Sequence, residues 1–179
     1  MSIARIAIFS AVLLASAAGH AETLSGTVER VKDGDTVRLR LLDGGKADLR
    51  LAGIDAPEKA QPFGRAAGRR LAALCLGKTA EADWRDTDRF ERPVGRLFCD
   101  GQDVGRLLIA EGLAWHFKRY ARTQPLAERE GDAEAEVLAR EAMAGLWSEP
   151  DPIPPWEWRK AAKAAKAAKA ANKRQGPPR

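Results

Sequence analysis

Residues 24–52 read LSGTVERVKDGDTVRLRLLDGGKADLRLA, and this stretch decides the fold. Apolar and polar residues alternate along most of it with the two-residue period of a β-strand, so that Val37 and Leu39 share one face. The residues KDGD at 32–35 interrupt the alternation as a turn, and DGG at 43–45 is typical of a β-hairpin. The stretch therefore predicts three consecutive strands.

The next part of the chain predicts two more strands and three helices. Strands are predicted at 78–84 and 93–99, and helices at 63–76, 103–111 and 128–144. Five short strands with an inserted helix fit a partly open Greek-key barrel of the OB type. The predicted fold class is mainly β with helices (α+β), a five-stranded OB-type barrel with three helices. Such barrels often present one face and its loops to oligonucleotides.

The first 21 residues have the pattern of an export signal. Arg5 precedes a short apolar run at 6–14, and small residues follow up to Ala21. The run is too short to span a bilayer, which needs roughly 17–25 apolar residues. We therefore expect cleavage near Ala21, export to the periplasm or the medium, and no stable membrane association of the mature chain.

The mature chain divides by composition into three parts. Residues 22–149 form the predicted barrel domain, 150–159 a Pro/Trp-rich linker whose tryptophans could pack back onto it, and 160–179 a basic Ala/Lys tail. Lysines recur every third residue from Lys160 to Lys169, which leaves no apolar face for packing. We expect the tail to be solvated and at most transiently helical, because an isolated helix of this length is marginal in water.

Charge and cysteine content limit the possible classes of site. The formal net charge is +5 and the pI is near 9.5, which favours polyanionic partners. Cys75 and Cys99 are the only cysteines, and His116 is the only histidine after the signal, so a four-ligand Cys/His zinc site is excluded. In an exported protein we expect the cysteines to form a disulfide, with two buried free thiols as the alternative.

Four carboxylates lie at predicted strand ends or in the loops that follow them. They belong to Asp33, Asp35, Asp55 and Glu58. A barrel can bring such strand ends together, and clustered carboxylates repel one another unless a cation neutralises them. Calcium suits such a cluster because it accepts carboxylates, backbone carbonyls and water. For the sequence DGD alone, ordinary turn chemistry is the stronger interpretation.

Two arginines are candidates for binding a phosphate. Arg50 lies on a predicted strand beside the carboxylate loop, and Arg92 begins another strand. A guanidinium group in such a place can bind a phosphate through two hydrogen bonds. Each arginine alone is equally compatible with an ordinary surface position.

Together, these segments resemble the staphylococcal nuclease family. The matching stretches are VKDGDTV at 31–37, RLAGIDAPE at 50–58, DRFERPV at 88–94, GLAW at 112–115 and GLW at 145–147. Their order and spacing agree with the family over nearly the whole predicted domain. The resemblance implies an OB-type barrel and calcium-dependent cleavage of DNA and RNA to 5′-hydroxyl and 3′-phosphate ends.

The resemblance also implies a metal site and a general base. Asp35, Asp55 and the backbone carbonyl of Ala56 would bind Ca²⁺, with Asp33 in the outer shell. Glu58 would accept a proton from the attacking water. The cofactor implied by these positions is therefore Ca²⁺.

The remaining implied roles concern the substrate. Arg50 and Arg92 would stabilise the phosphate as negative charge grows in the transition state, which is what phosphodiester hydrolysis requires. Arg89, Lys118 and Tyr120 would contact the nucleic acid.

The sequence departs from the family pattern in two regions. Phe90 and Glu91 stand where the family commonly has Tyr and Gly before the second catalytic arginine. Lys118 takes the place of one pocket aromatic, whereas Tyr120 matches another. Base stacking is therefore less well supported by the sequence than phosphate binding.

A second hypothesis is a catalytically inactive OB-type module that binds nucleic acid through its charge. The joint presence of Asp35, Asp55 and Glu58 with both arginines favours the nuclease instead. A calcium-binding protein without a nucleic-acid function would leave the arginines and the basic tail unexplained. We expect a monomer whose partners are DNA and RNA substrates.

Overall fold

Five strands of the protein close into a barrel. The computed structural model describes residues 22–175, so the predicted signal peptide and residues 176–179 lie outside the described residues. The barrel and the short strands are β1 (Glu22–Val31), β2 (Thr36–Leu41), β3 (Lys46–Leu51), β4 (Ile54–Asp55), β5 (Thr79–Thr87), β6 (Pro93–Cys99), β7 (Gln102–Asp103) and β8 (Trp115–His116). Strand β1 pairs with β2 and β5, β2 with β3, and β5 with β6, all antiparallel, and the parallel pair β3–β6 closes the barrel. The predicted five-stranded barrel is confirmed.

The barrel interior is filled by the side chains that the alternation predicted. Val37, Leu39 and Leu49 are fully buried, whereas Arg38 is half-buried and Arg40 is exposed. Burial of one such apolar side chain stabilises the fold by about 1.5–3 kcal/mol. Because a slip of one residue would turn these side chains outward, their burial fixes the register between β2 and β3.

Three α-helices correspond to the predicted ones. They are α1 (Gly64–Cys75), α2 (Val104–Ala110) and α3 (Leu126–Glu141). Helix α1 buries Ala67 and Leu71 in the barrel core, and α2 begins where the Asp103 carboxylate accepts the Arg106 backbone N–H at 3.1 Å. Two short 3₁₀ helices follow α2 and α3, at Lys118–Thr123 and Gly145–Ser148.

A disulfide joins the last residue of α1 to the last residue of β6. Cys75 and Cys99 are bonded, with their Cα atoms 5.6 Å apart and a sequence separation of 24. Closing a loop of this size in the unfolded chain contributes ~3 kcal/mol of stability in the chain-entropy account. Both residues lie in the barrel core, so the bond holds α1 against the sheet.

The C-terminal segment forms a further helix, α4 (Pro155–Gln175), where the sequence predicted the end of a linker and a solvated tail. The ring of Trp156 packs against Trp115 and Phe117, with centroids 5.6 and 5.5 Å apart. This packing fixes the first turn, the costly step in helix formation, and the good helix formers Ala and Lys then extend it. The side chains of residues 160–172 are exposed, in agreement with the predicted solvation. None of the helices within residues 22–175 is long and apolar enough to cross a membrane.

A buried ion-pair network joins α2 and α3 to the barrel. Arg96 on β6 donates two hydrogen bonds of 3.1 Å to Asp132 of α3 and also pairs with Asp103 at the start of α2. Asp132 accepts further hydrogen bonds from Arg106 at 3.2 Å and from Gln124 at 3.0 Å. Only 6% of Arg96 and 1% of Asp132 is exposed, so the central pair of the network is closed to solvent, whereas Arg106 at its edge is 40% exposed.

Candidate active site

One rim of the barrel brings together the candidate ligands from separate strands. Thr36 on β2 pairs with Arg50 near the end of β3, so Asp35, which precedes Thr36, lies beside the end of β3. After a turn at Gly53, where φ is +74°, β4 places Asp55 at the same rim. A residue with a side chain is strained at this φ, which explains the glycine.

The parallel pairing of β3 with β6 brings a second arginine towards this rim. Arg50 pairs with Val94 at the start of β6. Arg92 precedes Val94 by two residues, so its backbone lies at the same end of the barrel. The two arginines implied in phosphate binding therefore approach the rim from neighbouring strands.

Arg50 lies between the two candidate metal ligands. Its Nη2 atom is 3.2 Å from Asp35 Oδ2 and 3.2 Å from Asp55 Oδ1, and its Nη1 donates to the Leu51 carbonyl at 3.0 Å. Asp35 Oδ2 also accepts the Ala56 backbone N–H at 2.9 Å. One guanidinium thus fixes the relative position of two carboxylates that come from different strands.

The carboxylate of Asp35 is held in an environment that disfavours its negative charge. Burial is the main cause that raises the pKa of Asp35 to about 6, and the neighbouring carboxylates of Asp33 and Asp55 raise it further. The charge of Arg50 and the Ala56 N–H lower this pKa but do not compensate fully. An additional cation beside Asp35 would stabilise the ionised form.

The DGD turn is packed tightly against the loop that carries Ala56. Asp33 Oδ1 accepts the Asp35 N–H at 3.2 Å, which makes this a side-chain-stabilised turn. A Cβ atom added at Gly34 would lie 2.6 Å from the Ala56 Cβ and 2.7 Å from the Ala67 Cβ. The glycine is therefore required for the turn to approach both the ligand loop and α1.

Glu58 lies at the solvent edge of the same cluster. Its side chain is 42% exposed, and its backbone N–H donates to Gln61 Oε1 at 3.1 Å. The start of α1 lies directly on this loop, because a Cβ at Gly64 would come within 1.8 Å of the Glu58 carbonyl oxygen. Glu58 is thus held by its backbone while its carboxylate remains accessible to water.

A third arginine, Arg159 in the first turns of α4, also binds this cluster. Its Nη1 and Nη2 atoms donate to Asp55 Oδ1 and Oδ2 at 3.1 and 2.7 Å, and Nη1 donates to Glu58 Oε1 at 2.9 Å. The hydrogen bonds with Asp55 raise the pKa of Arg159 further above its ordinary value. Arg159 was not predicted as part of the site, because it lies in the predicted linker. The two tryptophans just before it are the signal that this segment packs on the domain.

Arg92 is held within its own loop. Its Nη2 and Nε atoms donate to Asp88 Oδ2 at 2.6 and 2.8 Å, and no ion pair within residues 22–175 joins it to Asp35 or Asp55. The guanidinium of Arg89 lies 4.8 Å from the ring centre of the exposed Phe90. Arg92 must leave Asp88, or share it, to reach a phosphate beside Arg50.

The other two candidate substrate residues lie on the 3₁₀ helix after β8. Lys118 forms an ion pair with the buried Glu136 of α3, which satisfies its charge. Tyr120 is 58% exposed and packs edge-on against Phe117 with ring centroids 5.4 Å apart. Since β8 pairs with β4, this helix starts close to Asp55.

The oxygen donors of the rim fit a divalent cation. Among residues 22–175, no group of three or more His, Cys, Asp and Glu side chains is arranged to hold a metal by itself. The implied ligand set needs only the carboxylates of Asp35 and Asp55, completed by a backbone carbonyl and water. Three rim carboxylates, those of Asp35, Asp55 and Glu58, pair with Arg50 and Arg159. The carboxylate of Asp33 beside them accepts only a backbone N–H among these contacts, so the four carboxylates and two arginines leave a formal deficit of two positive charges.

Comparison with known proteins points to one family. The family model described as "Staphylococcal nuclease homologue" matches residues 48–149. An Escherichia coli protein named "Uncharacterized endonuclease" is 37% identical over 138 residues, which cover 76% of this chain and 85% of that protein. The "Micrococcal nuclease" of Shigella flexneri is 33% identical over 161 residues, which cover 85% of this chain and 89% of that protein.

The plant relatives are longer proteins. The "Staphylococcal-like nuclease CAN1" of Arabidopsis thaliana is 37% identical over 115 residues, which cover 64% of this chain and 34% of that protein. The chain spans about a third of the length of such plant relatives. The matched family region contains Arg50, Asp55, Glu58 and Arg92 and excludes Asp35.

Proposed function

The chain belongs to the staphylococcal nuclease family, and on this basis we propose that it is a calcium-dependent endonuclease. The proposed reaction is hydrolysis of phosphodiester bonds in DNA and RNA to 5′-hydroxyl and 3′-phosphate ends. The observation that carries the proposal is the rim cluster, in which Arg50 lies between Asp35 and Asp55 beside the accessible Glu58.

Asp35, Asp55 and the backbone carbonyl of Ala56 would hold the calcium ion, with Asp33 in the outer shell. The bound ion would supply positive charge that stabilises the phosphate oxygens. The formal charge deficit of the rim and the raised pKa of Asp35 support a dication at this place. Mg²⁺ should substitute poorly, because it demands tighter octahedral geometry and sheds water reluctantly.

Arg50 would bind the phosphate from a fixed position. Its three contacts with Leu51, Asp35 and Asp55 hold the guanidinium before substrate arrives, so little reorganisation is needed as charge develops. Arg92 would add a second set of donors from the strand beside it. Its ion pair with Asp88 would have to open or be shared when the phosphate binds.

Glu58 would act on the attacking water. Its carboxylate is at the edge of the cluster and in contact with solvent, so a water molecule can reach it. A carboxylate in such a position can orient the water and accept its proton. The exposed Tyr120, together with Arg89 and Lys118, would contact the nucleic acid beyond the scissile phosphate.

Export and assembly complete the proposal. Removal of residues 1–21 would release a mature chain into the periplasm or the medium, where it would act as a monomer. The disulfide between Cys75 and Cys99 supports an oxidising compartment, since such bonds are rare in the cytosol.

The direct test uses the mature chain, residues 22–179, with DNA and with RNA. Cleavage of both is expected in Ca²⁺, and little cleavage in Mg²⁺ or in excess EGTA. Glu58→Gln is the matched variant, because it keeps the size of the side chain and removes the base. Salt-dependent binding of nucleic acid without cleavage in any metal would instead indicate the inactive binding module.

A further inference from the structure

Arg159 uses both carboxylate oxygens of Asp55. It donates to Oδ1 at 3.1 Å and to Oδ2 at 2.7 Å, while Arg50 approaches Oδ1 at 3.2 Å. The Asp55 side chain is fully buried, so these contacts occupy the faces that a ligand could approach. Arg159 also reaches Glu58, which makes one guanidinium the link between the proposed metal ligand and the proposed base.

The segment that carries Arg159 is docked on the same loops. The Gln61 side chain accepts the Glu58 N–H at 3.1 Å and donates its own amide to the Ile153 carbonyl. Trp156 packs on Trp115, and Trp115 pairs with Asp55 across β4 and β8. The C-terminal segment therefore contacts the rim through its backbone, an aromatic ring and a charge.

We propose that Arg159 is an internal cation of the metal site, which holds Asp55 and Glu58 until a divalent cation displaces it. The inference rests on the proposed calcium site. A metal bound to Asp55 needs an oxygen that Arg159 occupies, so the two cations compete for one carboxylate. The Arg159 side chain is 46% exposed and can move into solvent without opening the barrel.

Competition of this kind has a measurable consequence. The apparent metal affinity is the intrinsic affinity multiplied by the fraction of molecules in which Asp55 is free of Arg159. Removing the competing guanidinium should therefore tighten calcium binding, on the order of tenfold for a charge-assisted pair at a half-exposed position. A residue that only supports the fold would have no such effect on metal affinity.

The test measures binding of Ca²⁺ alone by isothermal titration calorimetry, in the absence of nucleic acid. The mature wild-type chain is compared with Arg159→Gln and with Lys160→Gln, after removal of bound metal by chelation. Lys160 is the next residue, is 79% exposed and pairs only with Glu157 within the described chain. Its substitution removes the same charge from nearly the same place, and circular dichroism checks that all three proteins are folded.

The expected result is tighter binding by Arg159→Gln and unchanged binding by Lys160→Gln. Arg159→Lys should lie between Arg159→Gln and wild type, because it keeps the charge and loses the two-pronged geometry. Equal affinities of wild type and Arg159→Gln, or weaker binding by Arg159→Gln, would overturn the competition while leaving the calcium site intact. Absence of calcium binding in every protein would contradict the calcium site, and the competition with it.

Discussion

The cluster around Arg96 and the cluster around Arg50 consist of the same types of side chain, arginines and carboxylates, in different surroundings. In the first, Arg96 and Asp132 are almost completely buried. Both oxygens of the Asp132 carboxylate accept hydrogen bonds from Arg96, and Oδ2 accepts another from Gln124. In the second, Glu58 and Arg159 are close to half exposed. Arginine–carboxylate pairing therefore does not identify a functional site by itself. The informative difference is the access of solvent: the Glu58 carboxylate at the rim is 42% exposed, whereas Glu128, the most exposed carboxylate paired with Arg96, is 20% exposed.

The two clusters also differ in what would follow from the loss of one member. A buried pair that loses a partner leaves a charge without compensation, which costs stability. The exposed rim residues Glu58 and Arg159 can be solvated when a partner is lost, so the expected loss there lies in binding or turnover. Two substitutions separate these two outcomes, and two more test single residues outside both clusters; the four follow in order of decreasing effect.

Asp132→Ala should give the largest loss of stability. It leaves Arg96 and Arg106 without a shared acceptor, and the expected cost is about 3–5 kcal/mol in the free energy of unfolding. Urea denaturation measures this cost. Asp100→Asn is the control, because it removes the charge of an exposed pair with Lys78 and asparagine tolerates the φ of +52° at this position; the expected loss is less than about 1 kcal/mol. Equal losses in the two variants would remove the distinction between buried and exposed pairs.

Arg50→Gln should give the largest loss of turnover. Removal of one preorganised donor to a developing negative charge lowers kcat by about 10²–10³, while the free energy of unfolding should fall less than in Asp132→Ala. Arg38→Gln removes the same charge from the neighbouring strand, where Arg38 pairs with Asp48. It should keep normal turnover. Near-normal turnover of Arg50→Gln would reject the role given to the rim cluster.

Glu91→Gly should stabilise the loop that carries Arg92. Glu91 has a φ of +60°, where glycine is tolerated and other residues are strained. Relief of this strain, reduced by the extra flexibility of glycine in the unfolded chain, should raise the free energy of unfolding by about 1 kcal/mol or less. Glu91→Ala removes the charge but keeps the strain. If Glu91→Ala raised the free energy of unfolding by the same amount, the stabilisation would come from removal of the charge and not from relief of backbone strain.

Asp48→Asn should have the smallest effect and a defined pH dependence. The hydrogen bond from Arg38 is the main cause that lowers the pKa of Asp48 from 3.8 to about 2. Because the pKa is lower in the folded state, the interaction stabilises the protein above about pH 4 and this contribution is lost as the pH falls through about 2. In urea unfolding, the free energy of unfolding of the variant should be lower than that of wild type by at most about 1 kcal/mol near neutral pH, and this difference should shrink as the pH falls through about 2. A difference that does not change with pH would contradict this.

The barrel and the positions of Asp35 and Asp55 at its rim could be predicted from the sequence, because local patterns determine them. Alternation fixes the inward side chains of β2 and β3, and the turns at DGD and at Gly53 place Asp35 and Asp55 beside strand ends. These contacts join residues close in sequence or on paired strands. Sequence periodicity carries information about such contacts.

The contact of Arg159 with Asp55 could not be predicted in the same way. It joins residues 104 positions apart, and the helix that carries Arg159 has no apolar stripe beyond its first turn. The buried Arg96 network was also missed, although α3 carries Glu128, Asp132 and Glu136 at intervals of four residues. Such an acidic row on the buried side of a helix indicates a basic partner in the core.

The central claim is that the rim carboxylates hold the calcium ion on which cleavage depends. Its most direct test is the rate of DNA cleavage as Ca²⁺ is added back to chelated protein, for wild type and for Asp55→Asn. The account predicts that the wild-type rate rises from background to a plateau as Ca²⁺ is added. The Asp55→Asn protein should need far more Ca²⁺ to reach the wild-type plateau rate, or should stay below that rate at every Ca²⁺ concentration. Full wild-type cleavage in excess chelator, or identical calcium curves for the two proteins, would contradict it.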